Sequence, residues 1–235
     1  MKKTNVQICS NCGAENPLHQ KTCIECKHYL RARVFNIDLW KTAWKMFESP
    51  TEALTGVIHA EHKNFLLLLL ILLALKIYSV GVIFQSAFNT IYPVSGYFFL
   101  NLLLQLIIYS GFIILFSLLL KIFLGLKRKI RFKDVLAVTV YSFSPLILAF
   151  IVLVPVQFGI FGVHWFTYNP SPFLIKYTFA YALAVLEGIM LLWGLFVFVK
   201  GLLLQSGSWI LTIIFTILFL GLLSVIILFI PFVII

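Results

Sequence analysis

Five stretches of the chain are almost uninterrupted runs of apolar residues, near 64–84, 97–124, 135–161, 173–199 and 209–233. Each reaches the roughly 20 residues that a helix needs to cross a hydrocarbon core about 30 Å thick. The second, third and fourth exceed that minimum, which permits tilt or kinking without fixing an angle. Polar positions gather ahead of the first run, in a small module over 1–30 and a mixed basic and aromatic segment over 31–63. The pattern predicts an all-α membrane protein, with a five-helix bundle over 64–235 preceded by a small N-terminal module and an amphipathic linker helix.

Local signals sharpen two places. In the linker, Ile37, Trp40, Trp44 and Phe47 recur at three- and four-residue steps with Lys41 and Lys45 between them. That spacing suits a helix lying in the membrane interface, or one whose aromatic face packs on the bundle. Ser49-Pro50-Thr51-Glu52 then reads as a capping box with proline at the first helical position. In the third run, Tyr141-Ser142-Phe143-Ser144-Pro145 and the later Pro155 predict a twice-kinked span, with serine hydroxyls helping to satisfy the freed carbonyls.

Composition agrees: 62% of the 235 residues are hydrophobic and only 11% charged, where soluble domains run near half and a quarter. A water-soluble enzyme, a secreted disulfide scaffold and a disordered chain are excluded. The net charge of +10 invites a nucleic-acid partner until its distribution is read. Nine of the 18 basic residues precede the first run, and five sit in one connector as Lys127, Arg128, Lys129, Arg131 and Lys133. Clusters beside spans mark the cytoplasmic face and attract anionic headgroups, so the expected partner of 127–133 is lipid rather than nucleic acid. Loops 85–96 and 162–172 carry no Lys or Arg. The expectation is a multi-pass cell-membrane protein, N-terminus cytoplasmic and C-terminus outside. The opening residues show neither an apolar core nor a cleavage site, and read as no signal peptide.

All four cysteines fall within the first 26 residues, as Cys9-x2-Cys12 and Cys23-x2-Cys26. In a reducing compartment metal explains such pairs better than disulfides. Two knuckles complete the four-sulfur tetrahedron that zinc favours, and a closed shell makes it structural; a redox pair or an iron site are the alternatives. Gly13 permits the positive backbone angle of a knuckle, whereas Lys27 stands at the equivalent place of the second pair. His28 is read as a bystander.

Within the apolar runs, Lys76 and Glu187 stand out, because an ionisable group deep in a bilayer is costly. Lys76 lies 12 residues from Asn64 and Glu187 13 from Lys200, roughly 18 and 20 Å from the same boundary at about 1.5 Å per residue. They are read as a pair that fixes helix docking, or as part of a substrate or proton path with Ser144 and the Pro145 kink. Asn101 and Gln105 stand one turn apart and can bond across helices. No catalytic constellation is recognisable, and the chain is expected to be non-enzymatic.

The ribbon CSNCGAENPLHQKTCIEC, the ESPTEA helix start, YSFSP in the third run and the five-run layout together resemble prokaryotic members of the Yip family, named for Ypt/Rab-interacting relatives. The resemblance implies a five-helix membrane domain with a cytosolic N-terminus; eukaryotic relatives are linked to vesicle trafficking and small GTPases. It carries no catalytic residue over. The expected function is recruitment or organisation of partners at the membrane through the zinc ribbon. The alternative is a transporter or lipid-handling conduit using Lys76 and Glu187, and either allows a homo-oligomer.

Overall fold

A computed structural model describes residues 6–87, 98–126, 130–167 and 170–229. The N-terminal module is a ribbon in which β1 (Val6–Ile8) and β2 (Glu15–Pro17) pair antiparallel, with Gln7 opposite Asn16. Helices follow in the order α1 (Leu39–Glu48), α2 (Pro50–His59), α3 (Leu66–Ala87), α4 (Phe98–Gly125), α5 (Phe132–Ser142), α6 (Ser144–Phe161), α7 (His164–Thr167), α8 (Pro172–Ile175), α9 (Tyr177–Ser206) and α10 (Trp209–Phe229). Four of them, α4, α6, α9 and α10, are long and apolar enough to cross a membrane, and α3 adds the shorter apolar stretch Leu66–Gly81. Their outer faces expose residues such as Leu115, Leu192, Ile210 and Ile217, as contact with lipid tails requires. The chain is an all-α membrane protein.

The third apolar run is not one kinked helix. It breaks at Phe143 (φ −90°, ψ 13°) into α5 and α6. Pro145 falls in the first turn of α6, where its missing amide removes no helical bond, and Pro155 is carried inside that helix. Ser142 Oγ donates back to the Val138 carbonyl at 2.6 Å. Ser144 does not share that role; its buried hydroxyl has no partner among the described residues.

The break leaves α5 almost wholly buried, from Asp134 to Ser142 with only Leu136 partly exposed, and α2, α3, α4 and α9 surround it. The helix start at Pro50 follows the sequence, but Ser49 caps differently. Its hydroxyl faces the Glu52 carboxylate at 3.5 Å instead of accepting from an amide. Ala53, Leu54, Val57 and Ile58 of α2 bury into the core. The closest approach is at Gly201 of α9: a Cβ there would lie 2.7 Å from Val138 Cγ1, 3.1 Å from Ser142 Oγ and 3.4 Å from Leu54 Cδ1. Three helices meet because that residue has no side chain.

In α1 the aromatic face divides. Ile37 and Met46 are buried, Phe47 stacks on Trp193 of α9, and Trp193 Nε1 donates to the Met46 carbonyl. Trp40 and Trp44 point outward, 76% and 68% exposed. The helix thus packs on the bundle with one edge and presents two tryptophans with the other. Asp38 starts it, accepting from the Lys41 amide.

Candidate functional site

The two Cys-x2-Cys pairs converge. Sγ of Cys9 and Cys26 are 3.6 Å apart, those of Cys12 and Cys23 3.5 Å, and all four lie within 4.8 Å of one another. Four thiolates at about 2.3 Å from a common centre would be about 3.8 Å apart, so the cluster can hold a metal ion. Among the described residues the ligand set is Cys9, Cys12, Cys23 and Cys26, and His28 is exposed outside it. Gly13 and Lys27 take matching left-handed conformations, φ +73° and +60°. The second knuckle therefore uses the same turn as the first, with a lysine where glycine is favoured.

Donors surround the sulfurs. The Cys26 amide, helped by the Asn16 side chain and the Glu25 amide, lowers Cys23 to about 6. The His28 amide and the Asn11 side chain lower Cys26. Cys12 goes the other way, to about 12, because the Ala14 amide is outweighed by the Cys26 thiol first and then by desolvation and the Cys23 and Cys9 thiols. Asn16 is nearly inaccessible; its Nδ2 reaches Cys23 Sγ at 3.5 Å and its Oδ1 accepts from the Ile24 amide at 2.9 Å. This side chain steadies the second knuckle as metal-site partners do, and its role was not read from the sequence.

The ribbon is seated on the helices. Arg31 donates to the His19, Gln20 and His59 carbonyls at 3.0, 3.2 and 3.2 Å, joining ribbon to the end of α2. Glu61 receives Arg33 in a two-nitrogen grip, with contacts from 2.9 to 3.2 Å, and also pairs with Lys21. The Glu61 and His62 amides donate to the Val34 and Phe35 carbonyls.

Deep in the bundle the structure brings Lys76 and Glu187 together. Lys76 Nζ lies 2.5 Å from Glu187 Oε1, and Gln157 Nε2 of α6 donates to the same oxygen at 2.8 Å. The ammonium also lies 5.8 Å from the centre of the Phe150 ring. Lys76 and Gln157 are completely buried and Glu187 nearly so. The cluster therefore ties α3, α6 and α9. Ser144 and Pro145 are buried in the first turn of α6, and neither bonds to the pair. Gln105 is buried, and its Oε1 has no partner among the described residues. The side chain of Asn101, with which it was expected to act, lies outside the described residues, as do Lys127, Arg128 and Lys129.

A second buried charge pair escaped sequence reading. Lys63 Nζ sits 3.1 Å from Asp134 Oδ1 and donates to the carbonyls of Val57, Ile58 and Ala60, two of them at 3.1 and 2.7 Å. It caps α2 with a charge where helix carbonyls lack partners and ties that end to α5. Asp134 is also gripped by Arg131 at 2.7 and 3.1 Å. Burial lowers the Lys63 pKa while Asp134 works against the shift. Lys63 reads in sequence as one more basic residue ahead of a span; only the depth of α2 reveals its burial. Against known proteins, no family model, curated protein or solved structure matches the chain.

Proposed function

We propose that this chain is a non-enzymatic multi-pass membrane protein whose ribbon, loaded with structural zinc, is a docking platform for a protein partner on the cytoplasmic face. The observation that carries the reading is the seating of the ribbon: Arg31 and the Glu61 ion pairs hold it against the helices, while Ile8, Ile24 and Tyr29 stand 60%, 47% and 58% exposed. A fixed module that exposes large apolar side chains suits recognition. Zinc is the ion of choice, since four thiolates leave it no open position and the ribbon has little core of its own. The basic residues before the first span favour an N-terminus in the cytoplasm and a cell-membrane location. The Yip-like layout belongs to the same reading, and homo-oligomerisation is compatible with it.

A conduit reading draws on one observation: Glu187 Oε2 and Gln157 Oε1 are buried without partners among the described residues. Crosslinking followed by affinity purification from native membranes separates the two. Partners retained by the wild type should be lost from Cys9→Ser/Cys12→Ser and from Ile8→Ser/Ile24→Ser, which keeps all four thiols, and kept by Lys76→Met/Glu187→Gln. Identical partner sets in all four proteins would remove the platform. Flux lost only in the Lys76→Met/Glu187→Gln protein would install the conduit.

A further inference from the structure

A cleft of about 510 Å³ opens where the ribbon meets the end of α4 and the start of α5, lined by His19, Lys121, Ile122, Leu126, Ile130 and Arg131. Its walls differ in chemistry. Lys121, near the C-terminal end of α4, is half-buried and has no acidic partner among the described residues. Arg131 is held by Asp134, and Arg31 bonds the backbone of His19 from the ribbon side. Burial first, then the Arg131 and Arg31 cations, keep the His19 imidazole below its usual range, with Asp134 opposing. Lys121, Arg131 and Arg31 against one carboxylate leave a positive field around a side chain able to donate an N–H. The rest of the lining is apolar: Ile122 and Leu126 are 55% and 80% exposed.

That apolar wall continues into the membrane. Ile108, Gly111, Leu115, Leu119, Ile122 and Leu126 recur at steps of three and four, so they share one face of α4. The first four line a second cavity, of about 490 Å³, closed on its other side by Leu222 and Ile226 of α10. From Lys121 down to Gly111 is ten residues, about 15 Å at the helical rise. That is half of a roughly 30 Å hydrocarbon core, the depth of one leaflet.

We propose that this face of α4 is the seat of one anionic phospholipid, its phosphate in the cleft of Lys121, Arg131 and His19 and an acyl chain in the groove at Gly111. Charge complementarity at the water boundary and an apolar channel one leaflet deep together describe a lipid with a phosphate head. Neither a free anion nor a peptide uses both parts. The site stands whether or not the ribbon recruits a protein.

The test uses the full chain in detergent, titrated with dioleoyl phosphatidylglycerol, dioleoyl phosphatidylcholine, dihexanoyl phosphatidylglycerol or inorganic phosphate and read by native mass spectrometry. One dioleoyl phosphatidylglycerol should bind per chain, well ahead of phosphatidylcholine. Lys121→Gln should weaken it about fivefold, the worth of one basic residue at an anionic surface, while Lys41→Gln on exposed α1 leaves it unchanged. A Cβ at Gly111 meets nothing within 4 Å, so the side chain of Gly111→Phe has an open start into the groove it is meant to fill. It should weaken the long-chain lipid and spare the short-chain one, and this variant decides alone should Lys121→Gln fail to fold. Equal binding of both headgroups, equal loss in Lys41→Gln, inorganic phosphate displacing the lipid outright, or no effect of Gly111→Phe would each overturn the assignment.

Discussion

Removing one member of the Lys76–Glu187 pair strands a charge, and removing both does not. In Lys76→Met the carboxylate keeps only the amide of Gln157 and loses an ammonium 2.5 Å away. Breaking a buried pair from one side costs about 3–5 kcal/mol, and an acidic side chain at the centre of a membrane helix costs about 3 kcal/mol on insertion scales. The two approaches agree near 3 kcal/mol, to which the lost contact with the Phe150 ring adds about 0.5 kcal/mol. Glu187→Gln should cost a similar amount, because the ammonium then faces two neutral amides. In Lys76→Met/Glu187→Gln the new amide still meets Gln157 and the methionine fills the lysine channel, so the protein should return to within about 1 kcal/mol of wild type. Reversible unfolding in mixed micelles, run on all four proteins, gives the coupling energy of the cycle. Two single variants each within 1 kcal/mol of wild type would refute the claim that a charged, mutually dependent pair sits there. A double variant as damaged as the singles would show that the pair is tied into more than these three side chains.

The other predictions concern the ribbon side. Lys27→Gly relieves a left-handed non-glycine residue and should raise ribbon stability by about 1 kcal/mol, whereas Gly13→Ala should lower it similarly, both read from metal release to a chelator. Lys63→Met should cost about 2 kcal/mol in the same micelle assay, because the buried carbonyls lose their donor while Asp134 keeps Arg131. Adding Asp134→Asn should not restore it, because the Val57, Ile58 and Ala60 carbonyls stay without their donor. His59 is lowered to about 4, by burial first and then by Arg31 and Lys63, and an unfolded chain would protonate it near 6.5. Its contribution is therefore complete above about pH 6.5 and lost as pH falls toward 4. His59→Gln should flatten the fall in Tm between pH 7 and 4, leaving the smaller part due to His19, which is lowered in the same direction.

The apolar runs made the spanning helices legible, because a bilayer imposes length and hydrophobicity with little dependence on neighbours. The four thiols were legible for a related reason, since metal geometry writes its spacing into sequence. What escaped depends on tertiary burial. Ser142, Ser144 and Pro145 mark a disturbance around Phe143, but a kink within one helix and a break into α5 and α6 carry the same sequence signal. The capping box at Ser49 announced a helix but not that Leu54 and Val57 would lie in the core. Lys63 and Asp134 look like ordinary boundary charges until α2 is placed against α5. Lys76 and Glu187 could be matched by depth, but the third member, Gln157, needed the rotation of α6, which its uniformly apolar surroundings do not reveal.

The glycine contact at α2 has a consequence for how the molecule is made. α2 leaves the ribosome before any spanning helix, yet the residues it packs against in α5 and around Gly201 are synthesised some 80 to 150 positions later. Until α5 is made, Leu54 and its neighbours lack most of their partner surface and the charged clasp at Lys63 has no Asp134, and the contact at Gly201 waits for α9 as well. The N-terminal third of the nascent chain must wait, exposed, for the C-terminal half to arrive, which is the situation in which long-range contacts slow folding and invite capture by holding factors. A chain stopped before α9 would keep its ribbon ligands and the clasp to α5 but leave the faces of α2 and α5 that meet at Gly201 uncovered.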